Sequence, residues 1–212
     1  MNVSTLGMRT FGMGMRTSMS NAGLIIALFL SSLSGQVVAA DEALTANQVV
    51  PVIDGEVFDR IFIIKGEDSN SSQAIKYIRK SEEINTWTKQ VIYTRINDKK
   101  ITTPALYANA VIEGLQQINV GAKYQLSGSE NGEVMMLDFI AQPPGQNFLE
   151  FNVYRIEIGS KGVYSLQMIA RLPLIKNPTQ ESMAPIIELR KAWLVQAASY
   201  DMSKVMKLLD VQ

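Results

Sequence analysis

The chain has 212 residues with 20 basic and 20 acidic side chains, and it contains neither histidine nor cysteine. Without imidazole or thiol groups it cannot assemble Ser-His-Asp or Cys-His nucleophilic triads, histidine-ligated metal centres or thiol redox sites. Balanced charge with no basic cluster also excludes the concentrated positive field on which nucleic-acid binding depends.

The first forty residues carry Arg9 and Arg16 and no acid, then the apolar run Ala22 to Leu33, then Val38-Ala39-Ala40 before Asp41. A basic start, a short apolar core and small residues at a cleavage point form the pattern of a secretory signal, so residues 1–40 are expected to be removed after Ala40. The apolar run is about a dozen residues, short of the roughly 20 that a spanning helix needs. Retention as an anchor is therefore the lesser alternative. Met8-Arg9-Thr10 recurs as Met15-Arg16-Thr17, which leaves the start codon open between Met1, Met13 and Met15. Removal of the signal leaves 18 basic against 20 acidic residues and a net charge of −2. The remainder is long enough for one domain held together by burial alone, as is common in the bacterial periplasm. The expected location is periplasmic or secreted.

Asp41 to Gly55 has no sustained period and reads as an extended lead-in, and residues 56–212 read as a single α+β domain. Val57 to Lys65 and Ala74 to Arg79 have strand composition on either side of a loop of turn formers, Gly66 to Gln73. Ser81 is a candidate N-cap for a short helix with Glu82 and Glu83 in its first turn, which places Ile84 and Trp87 on one face. From Gln90 onward the spacing changes to two, and Val91, Tyr93 and Arg95 oppose Ile92, Thr94 and Ile96. Thr103-Pro104 starts an amphipathic helix whose core stripe is Leu106, Ala110, Val111, Leu115 and Ile118, ended by Asn119 and Gly121.

An antiparallel meander follows. Lys123 to Gly128 and Glu133 to Gln142 read as strands joined by a two-residue turn at Asn131-Gly132. In Phe148 to Ile158 the apolar phase switches near Val153, which predicts a bulge or bend there. Tyr164, Leu166, Met168, Ala170 and Leu172 alternate with Ser165, Gln167, Ile169 and Arg171 in the last strand. A helix capped by Ser182 tolerates Pro185 in its first turn and runs to about Ala198 with Met183, Ile187, Leu194 and Ala198 along one side. Met202 to Leu209 forms a final short helix. This order of elements gives an antiparallel sheet with helices packed on it.

The run Ser81-Glu82-Glu83-Ile84-Asn85-Thr86-Trp87-Thr88 resembles the glutamate, apolar, Trp-Thr lead into a strand found in the PsbP-like α/β/α sandwich group of small exported proteins. The following order is also similar to that group: a strand, a helix, a four-strand meander ending in Val163 to Leu172, and a C-terminal helix bearing Trp193. The resemblance covers residues 57–200, and Ser81 stands where the group often has Gly. It implies a binding or assembly factor with no known reaction.

No catalytic residues, cofactor or metal site follow from the sequence. Glu130-Asn131-Gly132 and Gly66 to Asn70 offer oxygen ligands without the spacing of a calcium loop and read as turns. Asp138 shares a strand face with Val134, Met136 and Ile140; it is read as a surface acid, with Arg155 as its natural partner were that face buried. Trp87, Tyr93 and Trp193 are candidates either for ligand-lining positions or for core anchors. The leading functional expectation is an accessory protein that docks on another envelope protein. The alternative is a small-ligand or lipid binder with a pocket between sheet and helices.

Overall fold

A computed structural model describes residues 38–39, 49–65 and 72–211. The expected signal segment apart from Val38–Ala39, the first part of the lead-in and most of the loop after Lys65 lie outside the described residues. The β-branched and aromatic runs form β1 (Val38–Ala39), β2 (Val52–Ile53), β3 (Glu56–Val57), β4 (Arg60–Lys65), β5 (Gln73–Ile78) and β6 (Lys89–Ile96). Then come α1 (Pro104–Ile118), β7 (Tyr124–Gly128), β8 (Val134–Ala141), β9 (Phe148–Gly159), β10 (Gly162–Pro173), α2 (Gln180–Ser199) and α3 (Met202–Val211).

Seven strands make the main sheet in the order β4-β5-β6-β10-β9-β8-β7, with β1 paired outside β4 and every neighbour antiparallel. The helix α1 carries the chain from the middle of the sheet to its far edge, and the meander β7 to β10 returns to pair with β6. One face packs on α2 and α3, where Ile75, Tyr77, Val91, Tyr93, Val153 and Leu166 share a core with Trp193, Met202 and Leu209. The opposite face packs on α1 through Leu137, Phe139, Tyr154 and Ile156 against Tyr107, Val111 and Leu115. Farther along that same face, Trp87 closes over Phe62, Ile78, Ile92 and Ile169. The α+β class stands as expected, with helices on both faces.

Double coverage explains the largest departure from the sequence reading. The pairing of β9 runs without a skipped residue from Phe148↔Pro173 to Gly159↔Gly162, and from Glu150↔Ala141 to Glu157↔Val134. There is no bulge near Val153, because a strand buried on both faces can be apolar in either phase without turning anything to water.

Other expectations shift for local reasons. Ser81 starts no helix: the Glu82 carboxylate instead accepts from Arg79 Nη2 at 2.6 Å, Thr88 N at 2.8 Å and Thr88 Oγ1 at 2.7 Å, closing residues 79–88 as a loop. Burial raises this carboxyl, but the bonds from Arg79 and Thr88 outweigh it and hold it at about 2. The stripe of α1 is rotated: Pro104, Tyr107, Ala108, Val111, Ile112 and Leu115 are buried, while Leu106 and Ile118 are exposed. Thr103 does cap α1, its Oγ1 accepting from Leu106 N at 3.2 Å. The cap of α2 is Thr179 in a reciprocal capping box with Ser182. Pro185 then lies inside the helix, where the exposed Glu181 that would have received its N–H faces water. The turn between β7 and β8 is a five-residue loop, with Ser129 N donating to Val134 O and Gly132 N to Ser129 O. The lead-in contains a hairpin, β2–β3, turned by Asp54 (φ 52°) and Gly55 (φ 74°), the Asp-Gly pair such tight turns favour.

Candidate functional site: a buried polar layer on the sheet

Strand alternation sends Gln90, Ile92, Thr94 and Ile96 of β6 to the α1 side, together with Val163, Ser165, Gln167, Ile169 and Arg171 of β10. Register sets their neighbours. Thr94 lies opposite Ser165, Ile92 lies between Lys76 and Gln167, Ile169 lies between Gln90 and Asn152, and Arg171 faces Glu150. The result is a polar strip across four strands, bounded by Phe62, Ile78 and Trp87 on one flank and by Leu137, Phe139 and Ile156 on the other. Asn152, Ser165 and Gln167 are 0% exposed, Thr94 1%, Gln90 2%, Glu150 6% and Lys76 8%. Such groups are costly to bury unless each finds a partner.

Some do. Gln167 Nε2 donates to Asn152 Oδ1 at 2.9 Å, and Asn152 Nδ2 donates to the Glu150 carbonyl at 3.2 Å. The Arg171 guanidinium lies 3.7 Å from the centre of the Trp87 ring and 4.6 Å from that of Phe148, while its Nη1 donates to the carbonyls of Asn85 and Trp87. That arrangement fixes the 85–88 segment to β10, and Arg171 Nε sits 3.5 Å from Glu150 Oε1.

The rest of the strip is unsatisfied. Gln90 Oε1, Thr94 Oγ1, Ser165 Oγ, Gln167 Oε1 and Arg171 Nε are buried without a hydrogen-bond partner among the described residues, and so is the Tyr107 hydroxyl of α1. The Tyr107 hydroxyl is directed at Ser165 and the Tyr154 hydroxyl at Gln167, and burial keeps both phenols protonated above the ordinary tyrosine range. The Lys76 ammonium makes no hydrogen bond or ion pair with a described residue. Burial lowers its pKa to about 8, against a smaller pull upward from Glu150, and Arg171 lowers it further. Burial likewise raises the Glu150 carboxyl against the opposing charge of Arg171. Hydroxyls, amide oxygens, one carboxylate and two cations therefore share one buried layer, where polar contacts are strongest.

The three aromatic candidates divide between the faces. Trp87 lies on the α1 side at the end of the polar strip, whereas Tyr93 and Trp193 lie together under α2 and α3. There their polar handles are taken. The Tyr93 hydroxyl bonds to that of Tyr200, and Trp193 stacks on Phe151 with its Nε1 donating to Asp54 Oδ2 at 2.7 Å. One pocket cannot be lined by all three. Asp138 is a correction: it is 7% exposed, and its partner is Arg190 of α2, which grips both carboxylate oxygens at 2.6 and 2.9 Å. Arg155 instead pairs with Glu157 and caps the end of α2, donating to the carbonyls of Ala197, Ala198 and Tyr200.

The sequence alone assigns no role to Lys76, Gln90, Thr94, Glu150, Asn152, Ser165 or Gln167. A usable signal was present in β10, whose polar phase has Val163 at one end and Ile169 before Arg171, so that polar residues are enclosed by apolar ones on one face.

A protein-family model matches residues 62–202, roughly two-thirds of the chain. The chain belongs to this uncharacterised family. The matched span runs from β4 to the first residue of α3 and contains every residue of the polar strip. No curated protein matches the chain. Among the described residues there is no group of three or more Asp and Glu side chains placed to hold a metal, and no helix long and apolar enough to cross a membrane.

Proposed function

We propose that the chain is an exported binding protein that holds a small polar molecule against the α1 side of its sheet. The observation that carries this reading is the layer of buried polar side chains from Gln90, Thr94, Tyr107, Ser165 and Gln167, several of whose atoms make no close hydrogen bond, gathered on one face around the buried Lys76. Native cores hold few such atoms, and a cluster of them is a cost that ligand contacts would offset. The polarity of the strip favours a hydrogen-bonding ligand over a lipid. Export rests on the Arg9 and Arg16, Ala22 to Leu33 and Val38 to Ala40 pattern.

The test is native mass spectrometry of the purified mature protein, together with melting curves across a library of polar small molecules. A bound species, or a rise in Tm of several degrees, is expected, and Gln167→Leu should remove it. A protein that carries nothing and responds to nothing in the library would overturn the reading.

A second reading, docking on an envelope partner, is favoured by β7. All five of its residues are exposed, none is charged or proline, and among the described strands only β8 pairs with it. Such an edge accepts an extended strand from another protein. It agrees with the assembly role that the PsbP-like resemblance implies. A photo-crosslinker at Ser127 should trap one defined envelope protein, and Leu126→Lys should abolish that product.

A further inference from the structure

The two edges of the sheet are built differently. At one edge β1 pairs with β4, and β4 begins on Arg60 and ends on Lys65. At the other edge β7 pairs with β8 without a skipped residue from Tyr124↔Phe139 to Gly128↔Met135. It therefore lacks the charge, proline or bulge that keeps an edge from accepting another strand. Ser129 N donates to Val134 O in the same pairing, so the odd-numbered residues turn their backbone toward β8, while Tyr124, Leu126 and Gly128 turn theirs outward. Opposite Phe139 and Leu137, the Tyr124 and Leu126 side chains lie on the α1 face, where they stay 40% and 38% exposed.

We propose that β7 pairs with β7 of a second copy of this chain, antiparallel about a two-fold axis at Leu126, so that two sheets join into one. This rests on the docking reading above and names its envelope partner as another molecule of the same protein. The strand is complementary to itself. Centred on Leu126, the register sets Tyr124 opposite Gly128 of the copy, Gln125 opposite Ser127 and Leu126 opposite Leu126, so every outward-turned residue of β7 exchanges both of its backbone bonds. On the α1 face each Tyr124 ring covers a bare Gly128 and the two Leu126 side chains meet, extending the row of Phe139 and Leu137 across the axis. On the other face Gln125 meets Ser127, polar on polar. Charge selects the same arrangement. Lys123 precedes β7, Glu130 and Glu133 lie in the turn that follows it, and neither Lys123 nor Glu130 has an ion pair with a described residue. Antiparallel pairing brings each lysine beside the acidic turn of the other copy, whereas parallel pairing sets like charges together. A contact of one short strand makes a dissociable dimer.

Because the chain has no cysteine, single cysteines placed in the mature protein report this contact without background. Leu126→Cys should oxidise to a covalent dimer of identical chains about tenfold faster than Val120→Cys, whose site is 95% exposed but off the strand, since residues facing each other at the axis fall within disulfide reach. Analytical ultracentrifugation of the parent should show a monomer–dimer equilibrium. Leu126→Lys sets two ammonium groups face to face and should sediment as a monomer with an unchanged circular dichroism spectrum. Lys123→Glu should weaken the dimer about tenfold, because the contact occurs twice, and adding Glu130→Lys should restore it. If Leu126→Cys crosslinks no faster than Val120→Cys and the parent is monomeric, while the photo-crosslinker at Ser127 traps a different envelope protein, the second copy is overturned and the docking reading stands. A dimer that survives Leu126→Lys is held elsewhere and would also overturn the proposal. Monomeric parent and no adduct of either kind would bring down both readings.

Discussion

The two faces of the sheet handle buried polarity differently. Beneath α2 and α3 nearly every polar group that enters the core is answered: Arg190 grips Asp138, Asp54 receives the Trp193 indole, Tyr200 meets Tyr93, and Arg155 caps the last turn of α2. The exceptions away from the α1 strip are the Tyr77 hydroxyl, Arg95 Nε, and Arg79 Nε and Glu82 Oε2 of the 79–88 loop, and Arg95 has Asp210 within 3.5 Å. Beneath α1 and Trp87, six polar atoms make no close hydrogen bond among the described residues, and Lys76 feels the charge of Glu150 without an ion-pair contact. The first face behaves as a structural core. The second holds buried polar groups at a cost in stability.

Substitutions on the two faces should therefore move stability in opposite directions. The largest loss is expected for Trp193→Ala, which empties the volume beside Phe151 and takes from Asp54 the indole donor while leaving it Lys89, at a cost of about 3–5 kcal/mol by denaturant unfolding. Asp138→Ala comes next. It leaves the Arg190 guanidinium without its bidentate partner, and because Arg190 is about a third exposed the loss should sit near the lower end, about 2–3 kcal/mol. Either variant melting like the parent would mean that the α2 side is not the tight core described.

Why one face was legible in the sequence and the other was not follows from these residues. Alternation located β6, β8 and β10, Thr103-Pro104 located the start of α1, and Met202 to Leu209 located α3 to within two residues. Periodicity alone cannot say whether the second phase of a strand meets water or another layer. Asp138 therefore reads as a surface acid, and the phase switch in β9 as a bulge. The layer over Ser165 and Gln167 is set by the crossover of α1 and by the Trp87 loop, and that over Asp138 by α2, all long-range features. The Glu82 clasp escaped for the opposite reason: a carboxylate after Ser81 satisfies the local rule for a helix start, but Thr88 and Arg79 compete for it and win.

A smaller effect should appear with pH. The Lys76 amine titrates near 8 in the folded chain and near 10.5 when unfolded, so between those values the unfolded state binds more protons and stability rises with pH. The buried phenols act in the opposite sense only above their ordinary range near 10, which leaves pH 8 to 9.5 as the clean window. Across it the parent should gain stability relative to Lys76→Met by about 1–2 kcal/mol in urea unfolding. Parallel curves for the two proteins would place Lys76 in water.

The most direct measurement is the paired effect of Thr94→Val and Ser165→Ala on stability and ligand affinity in the same double variant. Each replaces an unpartnered hydroxyl with an apolar group of nearly the same shape. A binding layer predicts that the double variant unfolds at higher denaturant, by about 1 kcal/mol or more in total, and at the same time loses affinity for whatever molecule stabilises the parent. A double variant that is less stable than the parent and binds as well would show that these hydroxyls serve the fold, and would contradict the account.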